Sequence, residues 1–436
     1  MFFGGILKKI FIFIVHSLAI AWLYIRVFSS YLWMLYSTKV LEMDYPYDKL
    51  IEKHRKNAQR YKVIATNFRG GLIKLAQFIS TQKELIHPVI IKELEVLQDR
   101  VEPIPYNEVV RLFENETGMH PNEVFKFFEK EAVASASFGQ VHRAVLKTGE
   151  TVAVKIQYED MDKILAIDMA MAGHFIKVMA KILKRPQLIE MYKEISEALF
   201  MELDYLKEAE FAEIFKENFK DNPFVDAPKI YREYTSEKVL VSEFVNGYRI
   251  TDIATMERLG ISPVSILEKL MDSYFQQFYF DGFFHSDPHP GNIFFLENET
   301  IVFVDFGQAK KLTEDMKLSL RDAVIGVLTY DSLKISESFY NMGVIEKDSI
   351  NKLKFLVDDI LHRAPTGSAA EIRDMALDFD FIKEKLKFIT AEMNIKFPQG
   401  IVLYGRTIAY LNGLIGALAP EEDMFEMARI SFMKRL

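Results

Sequence analysis

The 436-residue chain contains no cysteine. Disulfide bonds, thiolate zinc sites and a cysteine nucleophile are therefore excluded, and the composition agrees with a reducing compartment. An excess of positive charge is also lacking, since the net charge is −8 at pH 7. Without a basic field to attract a polyphosphate backbone, nucleic acid is not an expected partner.

The length and the apolar content indicate a large folded protein. A chain of 436 residues is too long for one small core, so one large two-lobed unit or two to three domains are expected. Half of the residues are hydrophobic and 27% are charged, which is typical of a folded chain rather than a disordered one.

Acidic residues are absent from the amino-terminal segment, where the first is Glu42. An apolar run extends from Ile10 to Ile25 and resumes after Arg26 as far as Tyr36. A membrane-spanning helix needs about 20 apolar residues, so a spanning helix and a tilted interfacial helix are both open. We predict a hydrophobic membrane-anchor helix over residues 1–39.

Two other interpretations of this segment remain open. Lys8 and Lys9 precede a short apolar core, and Ala19-Ile-Ala21 resembles the cleavage site of a signal peptide. The helix could also be buried against the rest of the protein. A single crossing with a positive amino terminus inside would carry the body to the side without ATP. An interfacial or re-entrant helix avoids this conflict and keeps the body on the ATP-containing, cytoplasmic side.

Periodicity predicts helices to about Phe128, then three short strands, a long helical stretch, two strands and a mostly helical remainder. The third strand, Thr151-Val-Ala-Val-Lys-Ile-Gln157, carries one lysine among apolar residues. A charge inside an apolar strand requires a partner or a ligand, and kinases place their phosphate-binding lysine on such a strand. Lys155 is therefore a candidate, although an edge strand with its lysine facing water has the same pattern.

Three polar residues follow in kinase order near Phe283-Phe-His-Ser-Asp-Pro-His-Pro-Gly-Asn-Ile293. Asp287 and Asn292 are five apart, and Asp305-Phe-Gly follows after a predicted hairpin. Phosphoryl transfer needs a carboxylate near the acceptor, with an amide and a second carboxylate to hold Mg²⁺. We predict Asp287 as catalytic and Asn292 and Asp305 as metal ligands. The alternative is a Pro/Gly-rich loop with an incidental Asp-Phe-Gly.

Two departures separate the chain from ordinary protein kinases. His285-Ser-Asp287 lacks the usual arginine, and the phosphate loop Ala134-Ser-Ala-Ser-Phe-Gly139 is not glycine-rich. These residues resemble the UbiB family of atypical kinases from about Gly70 to the carboxyl end. The resemblance implies an α+β, two-lobed protein-kinase-like fold with a helical N-terminal extension over the active site. The expected divisions are a hydrophobic helix at 1–39, a helical extension at 40–128, an N-lobe at 129–245 and a C-lobe at 246–436.

The resemblance also implies how nucleotide is bound. Main-chain groups of Glu243 and Val245 would receive adenine, and Glu208 would pair with Lys155 as part of the catalytic set. The residues implied around the phosphates, besides Lys155, are Ala134, Ser135, Ala136, Ser137, Gly139 and Val141.

A regulatory motif of the family is matched by Lys74-Leu-Ala-Gln77, with alanine where the family has glycine. Lys74 and Gln77 are expected on one helix face. The resemblance implies that Lys74 reaches Glu202 or Asp204 and occupies the space of a protein substrate. On a regular helix Asp204 would face the same side as Glu208, and Glu202 would point elsewhere.

The function implied by the resemblance is that of a membrane-associated atypical kinase or ATPase that binds Mg²⁺ with ATP or ADP. It would support isoprenoid-quinone (ubiquinone) biosynthesis or lipid homeostasis, with a lipid or isoprenoid-like small molecule, a membrane surface and a quinone-biosynthesis complex as partners. A nucleotide-sensing pseudokinase scaffold and a conventional Ser/Thr kinase are the alternatives. The carboxyl end, Leu403 to Leu436, is expected to form closing helices without a second apolar span.

The alanine-rich loop leads to a testable prediction. The Cβ of alanine hinders positive φ and the close approach of N–H groups to phosphate oxygens. We therefore expect weaker binding of ATP, slow turnover and weak protein phosphorylation. Replacing Ala136 with glycine should raise the affinity for ATP by roughly two- to fivefold. An unchanged dissociation constant, measured by calorimetry, would count against this explanation.

Overall fold

The computed structural model describes residues 2–68, 70–81, 86–98, 102–183, 185, 187–362, 393, 395–396, 398–422, 424–433 and 435. The chain forms two compact units. Unit 1 consists of Met1–Lys207 and Tyr231–Phe244, and unit 2 consists of Glu208–Ile230 and Val245–Leu436.

Helices predominate among the described elements. The helices are α1 Phe2–Lys39, α2 Tyr47–Phe68, α3 Gly71–Thr81, α4 Pro88–Glu95, α5 Tyr106–Thr117, α6 Pro121–Val124, α7 Met161–Leu183, α8 Gln187–Met201, α9 Tyr205–Asn218, α10 Ile253–Leu259, α11 Pro263–Gln276, α12 Glu314–Leu328, α13 Ser332–Asn341, α14 Ile350–His362, α15 Gln399–Leu418 and α16 Met424–Met433. The strands are β1 Phe125–Phe128, β2 Ala134–Ser135, β3 Gly139–Leu146, β4 Thr151–Gln157, β5 Val225–Asp226, β6 Val239–Glu243, β7 Tyr248–Arg249, β8 Phe283–Phe284, β9 Ile293–Phe295, β10 Ile301–Phe303 and β11 Lys310–Lys311.

The sheet of unit 1 is antiparallel, in the order β1-β3-β4-β6, with β2 paired to β3. Val152, Val154 and Ile156 alternate along β4 and are buried in one apolar cluster with Phe113 of α5. This alternation places the odd-numbered residues of β4, Lys155 among them, on the opposite face.

β1 lies at the end of the segment for which we predicted helices, so that part of the prediction is wrong. Phe125 and Phe128 are both buried, and a spacing of three apolar residues is typical of a helix. The ladder with β3 shifts register between Phe125 and Phe127. A bulge of this kind places two residues three apart on one face of a strand, which imitates the helical period.

α3 lies between two apolar clusters of unit 1. Leu75 packs in a cluster with Phe138, Leu165 and Leu199, whereas Ala76 packs in another that contains Ile20 of α1. A Cβ on Gly71 would lie 2.6 Å from Leu165 Cδ1, so a larger residue at this position would require the buried Leu165 side chain to shift.

One face of α1 is buried in unit 1. Ile20 and Leu23 are almost fully buried, and the His16 ring lies with its Nε2 2.6 Å from Oδ1 of Asp168 on α7. Burial raises the pKa of the Asp168 carboxyl, and the hydrogen bond with His16 opposes this shift. The folded protein tolerates a buried carboxyl that keeps its polar partner, whereas loss of the partner strongly destabilises the fold.

The opposite face of α1 is apolar and exposed. Leu18 is 64% exposed, and Trp22 and Ile25 are exposed to a similar extent. Phe13–Lys39 is long and apolar enough to cross a membrane by length and composition. The helix is therefore neither fully buried nor fully free of the body of unit 1.

The sheet of unit 2 has the order β5-β10-β9-β7, and β8 and β11 form a separate pair. The β5–β10 pair is parallel, whereas β10–β9 and β9–β7 are antiparallel. Phe215 of α9 packs against Phe303 of β10 and Phe306, which fixes α9 on the hairpin predicted from the sequence.

The expectation of no second apolar span near the carboxyl end is wrong. α15, Gln399–Leu418, is also long and apolar enough to cross a membrane by length and composition. Leu411 and Leu414 are buried, and Thr407 donates a hydrogen bond to the carbonyl of Ser286. Packing in unit 2 therefore explains part of the apolar composition of α15, since 28% of its apolar window is buried.

Candidate functional site

Lys155 lies on the partly exposed face of β4 in unit 1, between Val141 of β3 and Leu240 of β6. Its ammonium lies 4.9 Å from the centre of the Tyr205 ring. A cation over an aromatic face is stabilised electrostatically, so Tyr205 provides one neighbour for this charge. Gln157 donates to the carbonyl of Leu203 at 2.9 Å and ties the same chain segment to β4.

The alanine-rich loop forms the tight connection between β2 and β3. The Ala136 N–H donates to the Gly139 carbonyl at 2.8 Å, and the hydroxyl groups of Ser135 and Tyr158 lie 2.8 Å apart. A Cβ on Gly139 would lie 2.4 Å from the Ile156 carbonyl oxygen, which requires glycine there. Phe138, at the tip, is buried against Leu75 of α3. The loop is therefore held by its own hydrogen bonds and by α3.

Lys74 of α3 forms an ion pair with Glu202, with Nζ 2.7 Å from Oε2. Both side chains are partly buried, so the pair is less screened by water than a fully exposed pair. The Lys74 ammonium also lies 6.0 Å from the centre of the Phe138 ring in the alanine-rich loop. Of the two carboxylates expected near Lys74, Glu202 is the one in contact.

The expectation that Glu202, Asp204 and Glu208 share one regular helix is wrong. α8 ends at Met201, α9 begins at Tyr205, and Asp204 precedes α9 with its Oδ1 accepting from the Lys207 N–H at 3.0 Å. Aspartate is a preferred N-terminal cap, since its oxygen satisfies an amide that the helix leaves unpaired. Because Glu202 follows the end of α8, the direction of its side chain is not set by a continuous helix, and it reaches Lys74.

The other regulatory and hinge residues lie as follows. Gln77 donates to the Leu97 carbonyl at 3.3 Å, so it has a different partner from Lys74. Glu243 ends β6 and is exposed, and Val245 begins the next part of unit 2. Glu208 is buried near the start of α9 in unit 2. Its pairing with Lys155 stays a prediction.

In unit 2 the predicted catalytic loop brings Asp287 and Asn292 together. The Asn292 amide nitrogen donates to Asp287 Oδ2 at 3.0 Å and to the Asp287 carbonyl at 3.2 Å. Because the nitrogen serves Asp287, the amide oxygen is the atom left to act as a ligand. The pair therefore combines an oriented carboxylate with an oriented amide oxygen.

His285 joins this loop to Asp305. Its Nε2 lies 3.0 Å from the Val304 carbonyl and 2.9 Å from the Asp305 carbonyl, so this nitrogen carries the proton and donates to both. Asp305 has a φ of +60°, a conformation that costs energy in residues other than glycine. The buried imidazole thus holds the strained backbone that presents the Asp305 carboxylate.

Residues behind the loop, which the sequence did not single out, also fix it. Tyr274 of α11 donates to the His285 carbonyl at 3.0 Å, and burial raises the pKa of its hydroxyl well above the usual range. Arg406 of α15 donates to the Ser286 carbonyl at 3.3 Å and to Gln308 at 2.8 Å. The sequence does show a tyrosine and an arginine within apolar helices. Their hydrogen-bond partners depend on tertiary structure, so the sequence alone does not identify their role.

The oxygen atoms of Asn292 and Asp305 suit Mg²⁺, a hard cation that prefers carboxylate, amide and phosphate oxygens. Within the described part of the chain, no group of three or more His, Asp or Glu side chains could form a metal cage. Mg²⁺ in phosphoryl-transfer sites is held by one or two protein ligands together with the phosphates. The donor set therefore fits a magnesium ion that arrives with a nucleotide.

His289, like His285, has a hydrogen-bonding role in this loop. His289 Nδ1 accepts from the Gly291 N–H at 3.1 Å and so supports the turn before Asn292. Neither ring belongs to a metal-ligand cluster among the described residues.

Comparison with known proteins identifies relatives of the chain. A family model described as the ABC1 atypical kinase-like domain matches residues 96–339, more than half of the chain. The chain is 31% identical over 363 residues to the Synechocystis sp. protein sll0095, covering 81% of this chain and 63% of that protein. It is 28% identical over 392 residues to ACTIVITY OF BC1 COMPLEX KINASE 7, chloroplastic, of Arabidopsis thaliana, covering 87% and 55%.

A solved structure is also similar, that of Rv3197 of Mycobacterium tuberculosis in complex with erythromycin. It is 23% identical with a TM-score of 0.49, covering 85% of this chain and 93% of that one. The chain spans less than two thirds of the length of the two sequence relatives above.

The chain belongs to the ABC1 family of atypical kinase-like proteins. The resemblance to UbiB proteins and the α+β kinase-like fold are thereby confirmed. The expected hydrophobic N-terminal helix is present in the structure as α1. The family assignment supports a kinase-like enzyme and, in general terms, nucleotide binding.

The role of His285 leads to a prediction. Replacing His285 with phenylalanine keeps an aromatic ring but removes the donor to two carbonyl groups. The backbone amides of residues 304–307 should therefore be less protected against hydrogen exchange. We expect amide hydrogen exchange in this segment to accelerate by roughly tenfold or more, since a buried unsatisfied group costs about 1–3 kcal/mol. His174→Phe, on an exposed part of α7, is the matched control. Equal exchange in both variants would show that His285 does not hold the segment.

Proposed function

We propose that the chain is a membrane-associated atypical kinase or ATPase that binds Mg²⁺ with ATP and supports isoprenoid-quinone (ubiquinone) biosynthesis or lipid homeostasis. The observation that carries the chemical part is the network in unit 2 in which Asn292 orients Asp287 and His285 holds Asp305. Phosphoryl transfer is catalysed mainly by positioning and electrostatic stabilisation, and these fixed oxygen atoms can provide both.

Each residue has a proposed role in this chemistry. Asp287 would accept the proton of the attacking hydroxyl or water, and Asn292 with Asp305 would hold a magnesium ion that a nucleotide brings with its phosphates. Lys155 of unit 1 would contribute positive charge to the α- and β-phosphates, and its pairing with Glu208 stays a prediction. The alanine-rich loop, held rigidly by Phe138, covers the phosphates with fewer close N–H groups than a glycine-rich loop provides.

The position of α3 speaks against a conventional Ser/Thr kinase. An open peptide-binding face would require α3 to lie away from the alanine-rich loop. Instead, Leu75 packs with Phe138 and Lys74 pairs with Glu202. A small or lipid-like acceptor, or water, therefore fits the proposal better than a protein chain.

Membrane association is proposed to be interfacial rather than spanning. Ser30 of α1 accepts from Lys53 at 2.6 Å and from Asn57 at 2.8 Å, and both donors belong to the polar helix α2. A full crossing by α1 would carry these charged and polar neighbours into hydrocarbon, at high cost. An interfacial position leaves the exposed face with Leu18 and Trp22 in the lipid and the opposite face on unit 1.

The catalytic proposal is tested at Asp305. Asp305→Asn should lower Mg²⁺-dependent ATP hydrolysis by roughly 100-fold or more, because an amide is a weaker ligand than a carboxylate. Binding of ADP without Mg²⁺ should change little. Asp221→Asn, at an exposed position of unit 2, serves as the control and should keep full turnover.

The same experiment separates enzyme from scaffold. A nucleotide-sensing pseudokinase scaffold is supported by two results together. The wild-type protein binds nucleotide but hydrolyses none, and the Asp305→Asn variant supports quinone biosynthesis or lipid homeostasis as well as the wild type does. Retained turnover in Asp305→Asn would exclude Asp305 as a metal ligand.

The membrane proposal is tested at Leu18. Leu18→Glu places a charge on the exposed face of α1, so co-sedimentation with phosphatidylcholine–phosphatidylglycerol vesicles should fall by roughly tenfold. Val63→Glu, on a similarly exposed position of α2, should bind as wild type does. Equal binding of both variants would contradict an interfacial role for this face.

A further inference from the structure

Unit 2 contains a cavity of about 340 Å³ that the proposed chemistry does not use. Its walls come from α11 and the π-helical turn that follows it, and from α12, α13, α15 and α16. The floor is aromatic and almost fully buried, with Tyr274, Phe275, Phe278 and Phe432. π-helical turns inside helices are frequent at functional sites, so the π-helical turn in its wall indicates that this cavity has a function.

The described polar atoms of the floor and wall are already paired with protein. The Tyr274 hydroxyl donates to the His285 carbonyl, and the Tyr279 and Tyr404 hydroxyl groups lie 2.6 Å apart. A buried water needs two to four polar partners, whereas an apolar cavity stays dry and binds apolar molecules. The surroundings therefore favour a hydrocarbon occupant over solvent.

The size and the rim narrow the class of occupant. A cavity of about 150 Å³ holds benzene, so one more than twice as large takes a chain of roughly a dozen carbon atoms. Val327 and Arg429 line the cavity and are exposed, which places solvent and a positive charge at the rim. A single chain with a polar end satisfies both features, because its carbons fill the interior and its head remains at the rim.

We propose that this cavity binds one hydrocarbon chain, acyl or prenyl, of a molecule whose polar end lies near Arg429. Binding does not depend on the proposed nucleotide chemistry. The location nevertheless connects the two, because the Tyr274 ring forms the floor while its hydroxyl holds the His285 carbonyl. α15 likewise lines the cavity with Tyr404 and Ile408 and holds the Ser286 carbonyl through Thr407.

The test uses the full chain in lipid nanodiscs, without nucleotide, and two photoreactive probes. These are dodecanoic acid and farnesol, each carrying a diazirine, used below their aggregation concentrations. After illumination, labelled peptides are identified by mass spectrometry. We expect label on α12 and α15, and label on the exposed face of α1 serves as an internal positive control in every sample.

Filling the cavity should remove the label from unit 2. Ala323→Phe places a large side chain in the cavity and should reduce labelling of α12 and α15 at least fivefold. Leu318→Phe, on an exposed position of the same helix outside the lining, should label as wild type does. Thermal unfolding checks that each variant folds, and Val324→Phe replaces Ala323→Phe if that variant does not.

The outcomes decide the proposal and the class of chain. Labelling by dodecanoic acid alone identifies an acyl chain, labelling by farnesol alone a prenyl chain, and labelling by both a site that accepts either. Label on α1 without label on α12 and α15 overturns the proposal, and so does labelling of these helices that persists in the filled variant. Because nucleotide is absent, a failure of the proposed ATP chemistry leaves each result interpretable.

Discussion

The buried carboxyl of Asp168 is the constraint around which unit 1 is arranged. Burial disfavours its charge, while His16 of α1 and the backbone of Gly71 and Leu72 at the start of α3 favour it. Three helices, α1, α3 and α7, therefore meet at one acidic group. Their meeting point sets where α3 begins, and so where Lys74 and Leu75 lie relative to Glu202 and Phe138.

Main-chain carbonyl groups play the equivalent part in unit 2. Tyr274, Thr407 and Arg406 donate to the carbonyls of His285 and Ser286, and His285 donates to the carbonyl of Asp305. The acidic groups are thus positioned through the backbone that carries them. Backbone anchoring fixes each carboxylate in space, and the hydrogen bond from the Asn292 amide to Asp287 Oδ2 adds to this positioning.

The sequence was informative where a feature depends on local spacing. Asp287 and Asn292 are five residues apart in one loop, so their hydrogen bond follows from local geometry, and the hairpin before Asp305 was expected from its turn residues. The buried strand pattern around Lys155 was equally local. The family match confirmed the kinase-like fold class that the resemblance to UbiB proteins implied.

Prediction failed where tertiary structure decides between equal local patterns. The bulge in β1 gave Phe125 and Phe128 a helical spacing, and the cap at Asp204 broke a helix that periodicity alone would continue. The apolar character of α15 was missed as a possible span. Its burial in unit 2 depends on partners that lie far away in sequence, such as Ser286.

The pairing of His16 with Asp168 has a consequence for how the protein can be handled. Removing the hydrophobic helix to improve solubility would deprive the Asp168 carboxyl of its hydrogen bond with His16 and expose the apolar cluster in which Ile20 is buried. Such a shortened chain would carry a disturbed α3, and with it a disturbed Lys74. Changes in its enzymology would then report damage to unit 1 as well as the loss of a lipid contact, so point changes on the outer face of α1 are the cleaner means of separating the two.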